Sequence, residues 1–120
     1  RGSKQYEFDD IMLLKVGRHL RPRANFKLIV GRDEGENNFL NGYRKRFTHL
    51  YATSHEGPLV LIDGSVSEQD LALAARLTAR FGQGRDAESV TLTVTDAAGN
   101  SRELKAAPLL ANEIPPDWYL

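Results

Sequence analysis

The chain has 120 residues, 41% of them apolar, with 16 Lys/Arg balanced by 16 Asp/Glu and no cysteine. That length supports one globular domain with its own core, and the lack of cysteine excludes a disulfide framework, a thiolate nucleophile and a cysteine-ligated zinc. The zero net charge excludes indiscriminate coating of nucleic acid but not a one-faced basic patch, because residues 1–50 carry 11 Lys/Arg against 6 Asp/Glu while residues 51–120 carry 5 against 10.

Residues 1–10, which begin Arg1-Gly2-Ser3 rather than with methionine, read as a flexible lead-in or an expression scar. Residues 11–16 read as a buried strand ended by Gly17. Arg18, His19, Arg21 and Arg23 follow around Pro22, which biases its surroundings toward extended or turn backbone, so a basic loop is expected between two strands. The second strand, residues 26–30, runs into Gly31 and Arg32 and then Asp33, with Glu36 three residues on. Strand, tight turn and helix are predicted, with Asp33 as N-cap and Glu36 folded back in a capping box. Such a junction presents backbone N–H groups and a guanidinium to an anion; the alternative is that Arg32 is an ordinary surface arginine. Gly31 is expected to need positive φ or a close backbone approach.

The helix after Asp33 is predicted to carry Phe39, Leu40, Tyr43 and Phe47 on one face and to close on Arg44-Lys45-Arg46, with Gly42 weakening its second half by roughly 1 kcal/mol. Residues 48–53 and 59–62 read as strands joined across Ser54-His55-Glu56-Gly57-Pro58. Ser67, with Asp70 three residues on, starts a second helix that turns Leu71, Ala74, Ala75, Thr78 and Phe81 inward and Gln69, Arg76 and Arg80 outward, stopping at Gly82 and Gly84. Val90, Leu92 and Val94 alternate with threonines, and Ala97-Ala98-Gly99-Asn100 turns this strand into a hairpin with residues 101–106. The fold class is α+β: a single domain over residues 11–108, with a mixed, mostly antiparallel sheet, two main helices packed on it, and an extended tail at 109–120.

His19, His49 and His55 lack metal-ligand spacing, so no metal site is expected; no serine sits in a nucleophile elbow, and Gly82-Gln83-Gly84 follows a helix, the wrong context for a phosphate loop. No residue is assigned a catalytic role. What remains is a basic stretch from Lys15 to Arg32 with Tyr43, Phe47 and Tyr51 near in sequence, the inventory for holding phosphates and stacking unpaired bases.

Val30-Gly31-Arg32 with Glu36-Asn37 and a following leucine, Tyr51-Ala52 through Gly57 to Val60-Leu61-Ile62, and Ala74-Ala75 resemble the NFACT-R family of RNA-binding domains. Leu14-Lys15-Val16-Gly17-Arg18-His19 resembles the variety of that domain found at the C-terminus of bacterial PP-loop proteins related to tRNA thiouridylases. The resemblance implies a cytoplasmic, non-catalytic module that binds RNA, with tRNA the expected class, for an ATP-using modification domain. It implies no cofactor in this fragment: ATP and Mg belong to the parent PP-loop domain, whose Ser-Gly-Gly signature is absent here. Two positions depart from the family, Tyr51 and Leu59, where many members have histidine. The RNA-binding set expected on this reading is Lys15, Arg18, Arg21, Arg23, Lys27, Arg32, Asn37, Arg44 and Tyr51, with Gly31 and Gly57 as motif turns. The alternative is a protein-interaction or domain-docking module whose basic patch meets an acidic surface, the PP-loop domain of its own chain included. A small-molecule enzyme gripping an anion with Arg32 is the third reading. No membrane partner is expected, since runs such as Leu59-Val60-Leu61-Ile62 are too short to span a bilayer.

Overall fold

The computed structural model describes residues 17–42 and 46–119. Among these residues six strands and two α-helices follow in the order β1 (Arg18–Arg23), β2 (Phe26–Val30), α1 (Glu34–Asn41), β3 (Thr48–Ala52), β4 (Val60–Gly64), α2 (Glu68–Arg80), β5 (Val90–Thr95) and β6 (Ser101–Ala106). The strands form one sheet in the order β1-β2-β4-β3-β5-β6, and every described pairing is antiparallel. The α+β class is as expected. The strand proposed at residues 11–16 and the lead-in at 1–10 lie outside the described residues.

The strand order explains where the helices go. The β2-α1-β3 connection skips over β4, and the β4-α2-β5 connection skips over β3, both moving the same way across the sheet. Their strands run in opposite directions. Two crossovers of the same hand must then lie on opposite faces. Burial agrees: Phe26, Leu28, Val30, Leu50, Val60, Ile62, Leu92 and Val94 pack with Leu71, Ala74, Ala75 and Leu77 of α2, whereas Ile29 and Leu61 pack with Leu40 of α1, Phe39 and Phe47 on the other face. The alternation of Leu28 and Ile29, each fully or almost fully buried, is the strand period of two read on a sheet covered from both sides.

The basic segment expected as a loop is instead the edge strand β1, hydrogen-bonded to β2 through a turn at Ala24-Asn25. Pro22 is tolerated because an edge strand needs no donor on its open side, and the register shifts between Leu20 and Arg23 beside it. The first helix is also shorter than expected. It ends at Asn41, Gly42 donates back to Leu40 and Phe39, and no basic residue sits in its last turn, so the cationic closure does not occur in α1. Phe47 reaches the Leu40 cluster from outside the helix, and Tyr43 and Arg44 lie outside the described residues.

Helix α2 starts as predicted, with Ser67 accepting from the Asp70 N–H and the Asp70 carboxylate accepting from the Ser67 N–H. That carboxylate, 7% exposed, also accepts from Asn25 Nδ2 at 3.0 Å and pairs with Arg23 Nε at 2.7 Å, tying the first hairpin to the second helix. The Asn25 amide, the Ser67 donors and the Arg23 charge hold the carboxyl below the usual range despite some desolvation. Asp70→Ala is expected to lower Tm by roughly 5 °C through loss of the cap and the hairpin tie, with Asp70→Asn intermediate; an unchanged thermal transition would show that the hairpin is held without it.

Residues 109–119 contain two short 3-10 turns, at Ala111–Glu113 and Pro116–Trp118, and bury Leu109 and Ile114 on the α2 side of the core. Arg76, on the outward side of α2 and partly exposed, donates from Nε to the Ala107 carbonyl at 2.9 Å. Tyr119 then bridges to Leu20, which covers part of the β1 edge.

Candidate nucleic-acid interface

At the β2–α1 junction, Asp33 caps the helix by accepting the Glu36 N–H at 2.8 Å. Glu36 does not return to Asp33. Its carboxylate accepts the Gly17 N–H at 3.0 Å and the Arg32 N–H at 2.8 Å, and pairs with the Arg32 guanidinium at 2.7 Å. These contacts, the guanidinium first, pull the Glu36 carboxyl down to about 2 from its ordinary 4.5 and raise Arg32 in turn. The donors expected to meet an external anion are therefore occupied by an internal one. The shallow cleft beside them, about 440 Å³, is lined by Asp33, Glu34 and Glu56 against Arg32 as its single cation, a poor setting for phosphate.

Gly31 sits at this junction without positive φ; the described left-handed glycines are Gly17, Gly64 and Gly99. What requires glycine is close approach, because a Cβ at residue 31 would collide with the Asn37 side-chain oxygen. That oxygen accepts the Leu59 N–H at 3.2 Å, so Asn37 staples α1 to the strand after Gly57. Gly57 itself lies against the backbone of Gly82 at the end of α2, where an added Cβ would stand 3.1 Å from the Gly82 Cα.

The remaining expected contacts are scattered. Arg18 lies over the Phe81 and Tyr119 rings at 5.4 and 5.8 Å, a cation–π arrangement on the α2 side. Arg23 is engaged with Asp70, and Arg21 donates to the Ala24 carbonyl at 3.0 Å while staying exposed. Lys27 stands on the opposite face, across from Asp63 and half-buried. Lys15 and Arg44 lie outside the described residues. Of the described cations in the set, Arg23 and Arg32 are committed to carboxylates, and Arg21 and Lys27 make no ion pair.

Tyr51 is better placed than the arginines. On β3, His49 and Tyr51 point to the α1 side while Leu50 points into the α2 core, and Thr95 and Thr93 stand opposite them on β5. Tyr51 is 41% exposed. It lines a cleft of about 610 Å³ with Asn37, Asn38 and Asn41 of α1, His49, Leu59, and Thr95 with the β5–β6 turn. Sequence reading singled out Tyr51 and Asn37 here but missed His49, Asn38 and Asn41. Their signal was present as spacing: 49 and 51 share a strand face, and 37, 38 and 41 share a helix face.

The family described as NFACT protein RNA binding domain matches residues 17–119. The chain belongs to this family. Within it, Val30-Gly31-Arg32 and Glu36-Asn37 form one junction in which Glu36 binds Arg32 and Asn37 occupies the space glycine leaves. No curated protein matches the sequence significantly. Among solved structures, the NFACT domain is similar to the C-terminal part of the fibronectin/fibrinogen-binding protein from Streptococcus suis, with TM-score 0.71 and 19% identity over 88% of this chain. That likeness concerns the fold. The chain spans 50% of the matched structure. Among the described residues no helix is long and apolar enough to cross a membrane, and no group of His, Asp and Glu could hold a metal ion.

Proposed function

We propose that this NFACT domain is a non-catalytic RNA-binding module, with tRNA as its substrate class, serving a cytoplasmic PP-loop tRNA-modifying protein. The observation that carries the RNA reading is the family match over residues 17–119, which takes in the whole described sheet. The geometry supports the α1 side of that sheet as the contact face, where Tyr51 offers an exposed ring and Lys27 a cation without an ion pair. Adenylation and any sulfur transfer fall to the parent's other domains, because the chain has no cysteine and no PP-loop signature.

Fluorescence anisotropy with unmodified tRNA and with polyglutamate tests this. tRNA is expected to bind selectively, with log affinity falling against log salt at a slope of roughly −2 to −4 for about three to five neutralised phosphates. Neutralising Arg21 and Lys27 together (Arg21→Gln, Lys27→Gln) should weaken binding about tenfold. The matched pair Arg80→Gln, Arg85→Gln, which removes the same charge near the end of α2, should change it less than twofold. Equal affinity for polyglutamate would favour the docking reading instead, and equal damage from both pairs would misplace the face.

A further inference from the structure

We infer that the cleft between α1 and the β3–β5 face is a subsite for one unstacked nucleobase, with Tyr51 as its stacking platform and His49 Nε2 as an acceptor for a base N–H. This rests on the RNA reading above and adds a recognition site to it. The cleft's volume, about 610 Å³, falls in the range of small-ligand sites and exceeds what a single base occupies. Among the described residues its lining contains no Lys or Arg, and the only charge is Asp96, whose carboxylate already accepts the Ala98 and Asn100 N–H groups that shape the β5–β6 turn. A phosphate is therefore disfavoured inside, whereas a neutral, planar, polar-edged group is not.

His49 gives the site its chemical direction. The ring is 7% exposed, and Nδ1 lies 3.1 Å from the Phe47 carbonyl. A carbonyl only accepts, so Nδ1 carries the proton, and in the neutral ring Nε2 is left as an acceptor. No described residue donates to it, and the side chain lines the cleft. No described buried side-chain nitrogen or oxygen lacks a partner, so Nε2 opens onto the cleft, where it can accept from a ligand: an exocyclic amine or a ring N–H of a base. Asn38, exposed in the lining, can both donate and accept, and Asn37, also in the lining, keeps its oxygen on the Leu59 N–H while its Nδ2 has no acceptor among the described residues. Tyr51 completes the arrangement with a π-face, which any base can stack on.

The test uses the 120-residue chain and two readouts. In NMR titrations with adenosine, cytidine, guanosine and uridine, and with ribose 5-phosphate as a ligand without a base, the nucleosides are expected to shift the His49 and Tyr51 resonances and ribose 5-phosphate to leave them still. In anisotropy with a single-stranded 12-mer RNA, Tyr51→Ala is expected to weaken binding about tenfold without changing the salt slope, and replacing all bases by abasic sites should erase the difference between Tyr51→Ala and the unaltered chain. Tyr51 is exposed, so its truncation leaves the core intact; a parallel Thr93→Ala variant on the same face controls for nonspecific effects. Nucleosides that fail to move the cleft resonances, or ribose 5-phosphate that moves them equally, would overturn the subsite whatever the RNA does. If nucleosides bind in the cleft but neither tRNA nor the 12-mer binds, the subsite stands as a nucleoside site and the RNA reading falls.

Discussion

Gly31→Ala is expected to destabilise the domain by about 2–4 kcal/mol, seen as a Tm lower by roughly 10 °C, which is far more than an exposed turn glycine would show. Gly31 is buried after β2, and its backbone has no left-handed φ that alanine would resist. The cost arises from contact. An added methyl would occupy the position of the Asn37 side-chain oxygen and approach the Asn37 backbone nitrogen to 3.2 Å. Asn37 cannot swing away freely, because its oxygen accepts the Leu59 N–H and its own N–H is held by the Asp33 carbonyl at 2.9 Å. Displacing it would leave a half-buried N–H unmatched at the start of β4. The double variant Gly31→Ala, Asn37→Ala separates the two costs. It should recover part of the loss from the collision but none from the staple, so its stability should approach that of Asn37→Ala alone. A melting curve for Gly31→Ala that overlays the unaltered protein would show that α1 moves aside at no cost.

The second large effect is expected at Glu36. Glu36→Ala removes the acceptor for the Gly17 and Arg32 N–H groups and the partner of the Arg32 guanidinium, and should cost about 2–3 kcal/mol. Its titration adds a pH signature with a definite sign. The folded carboxyl titrates near 2 against an ordinary 4.5, so the unfolded chain binds the proton first. The stabilisation is therefore fully present above about pH 4.5 and is lost as pH falls toward 2. Because the Arg32 side chain is 53% exposed, solvent screening reduces the amount to about 1–2 kcal/mol. Urea unfolding at pH 5.5 and 3.0 measures it: Glu36→Gln should lose less stability between the two pH values than the unaltered protein. Identical pH slopes would mean that the ion pair contributes nothing in solution. Asp70 titrates in the same direction and remains in both proteins, so the comparison isolates Glu36.

The β2–α1 junction behaves differently in space from what its residues suggest in line. Val30-Gly31-Arg32 with Glu36-Asn37 suggests an anion grip when read in line, whereas in space it is a clasp in which Arg32 pairs with Glu36 and the Asn37 oxygen accepts the Leu59 N–H. The clasp places α1 so that Asn37, Asn38 and Asn41 line the cleft beside β3.

Local chemistry determined much of this protein from the sequence alone. The alternation of valine and threonine at 90–95, the Ser67–Asp70 capping box, the small-residue face of α2 and the Asp33 cap are interactions between residues a few positions apart, and all are present as read. The expected α+β architecture followed from those elements. Only the tertiary structure decided how the charges are used. Arg23 and Asp70 are 47 positions apart, Gly17 and Glu36 are 19 apart, and nothing in a local window marks either pair as partners. The basic segment became an edge strand because β2 offered it a ladder, and α1 ends at Asn41 with Gly42 as its cap, where packing of Leu40 and Phe39 on Ile29 and Leu61 does not offset a weak helix interior. The cleft is the clearest case: Asn38, His49 and Thr95 come from a helix and two strands, and they meet because same-handed crossovers put α1 on the side of the sheet that α2 leaves open.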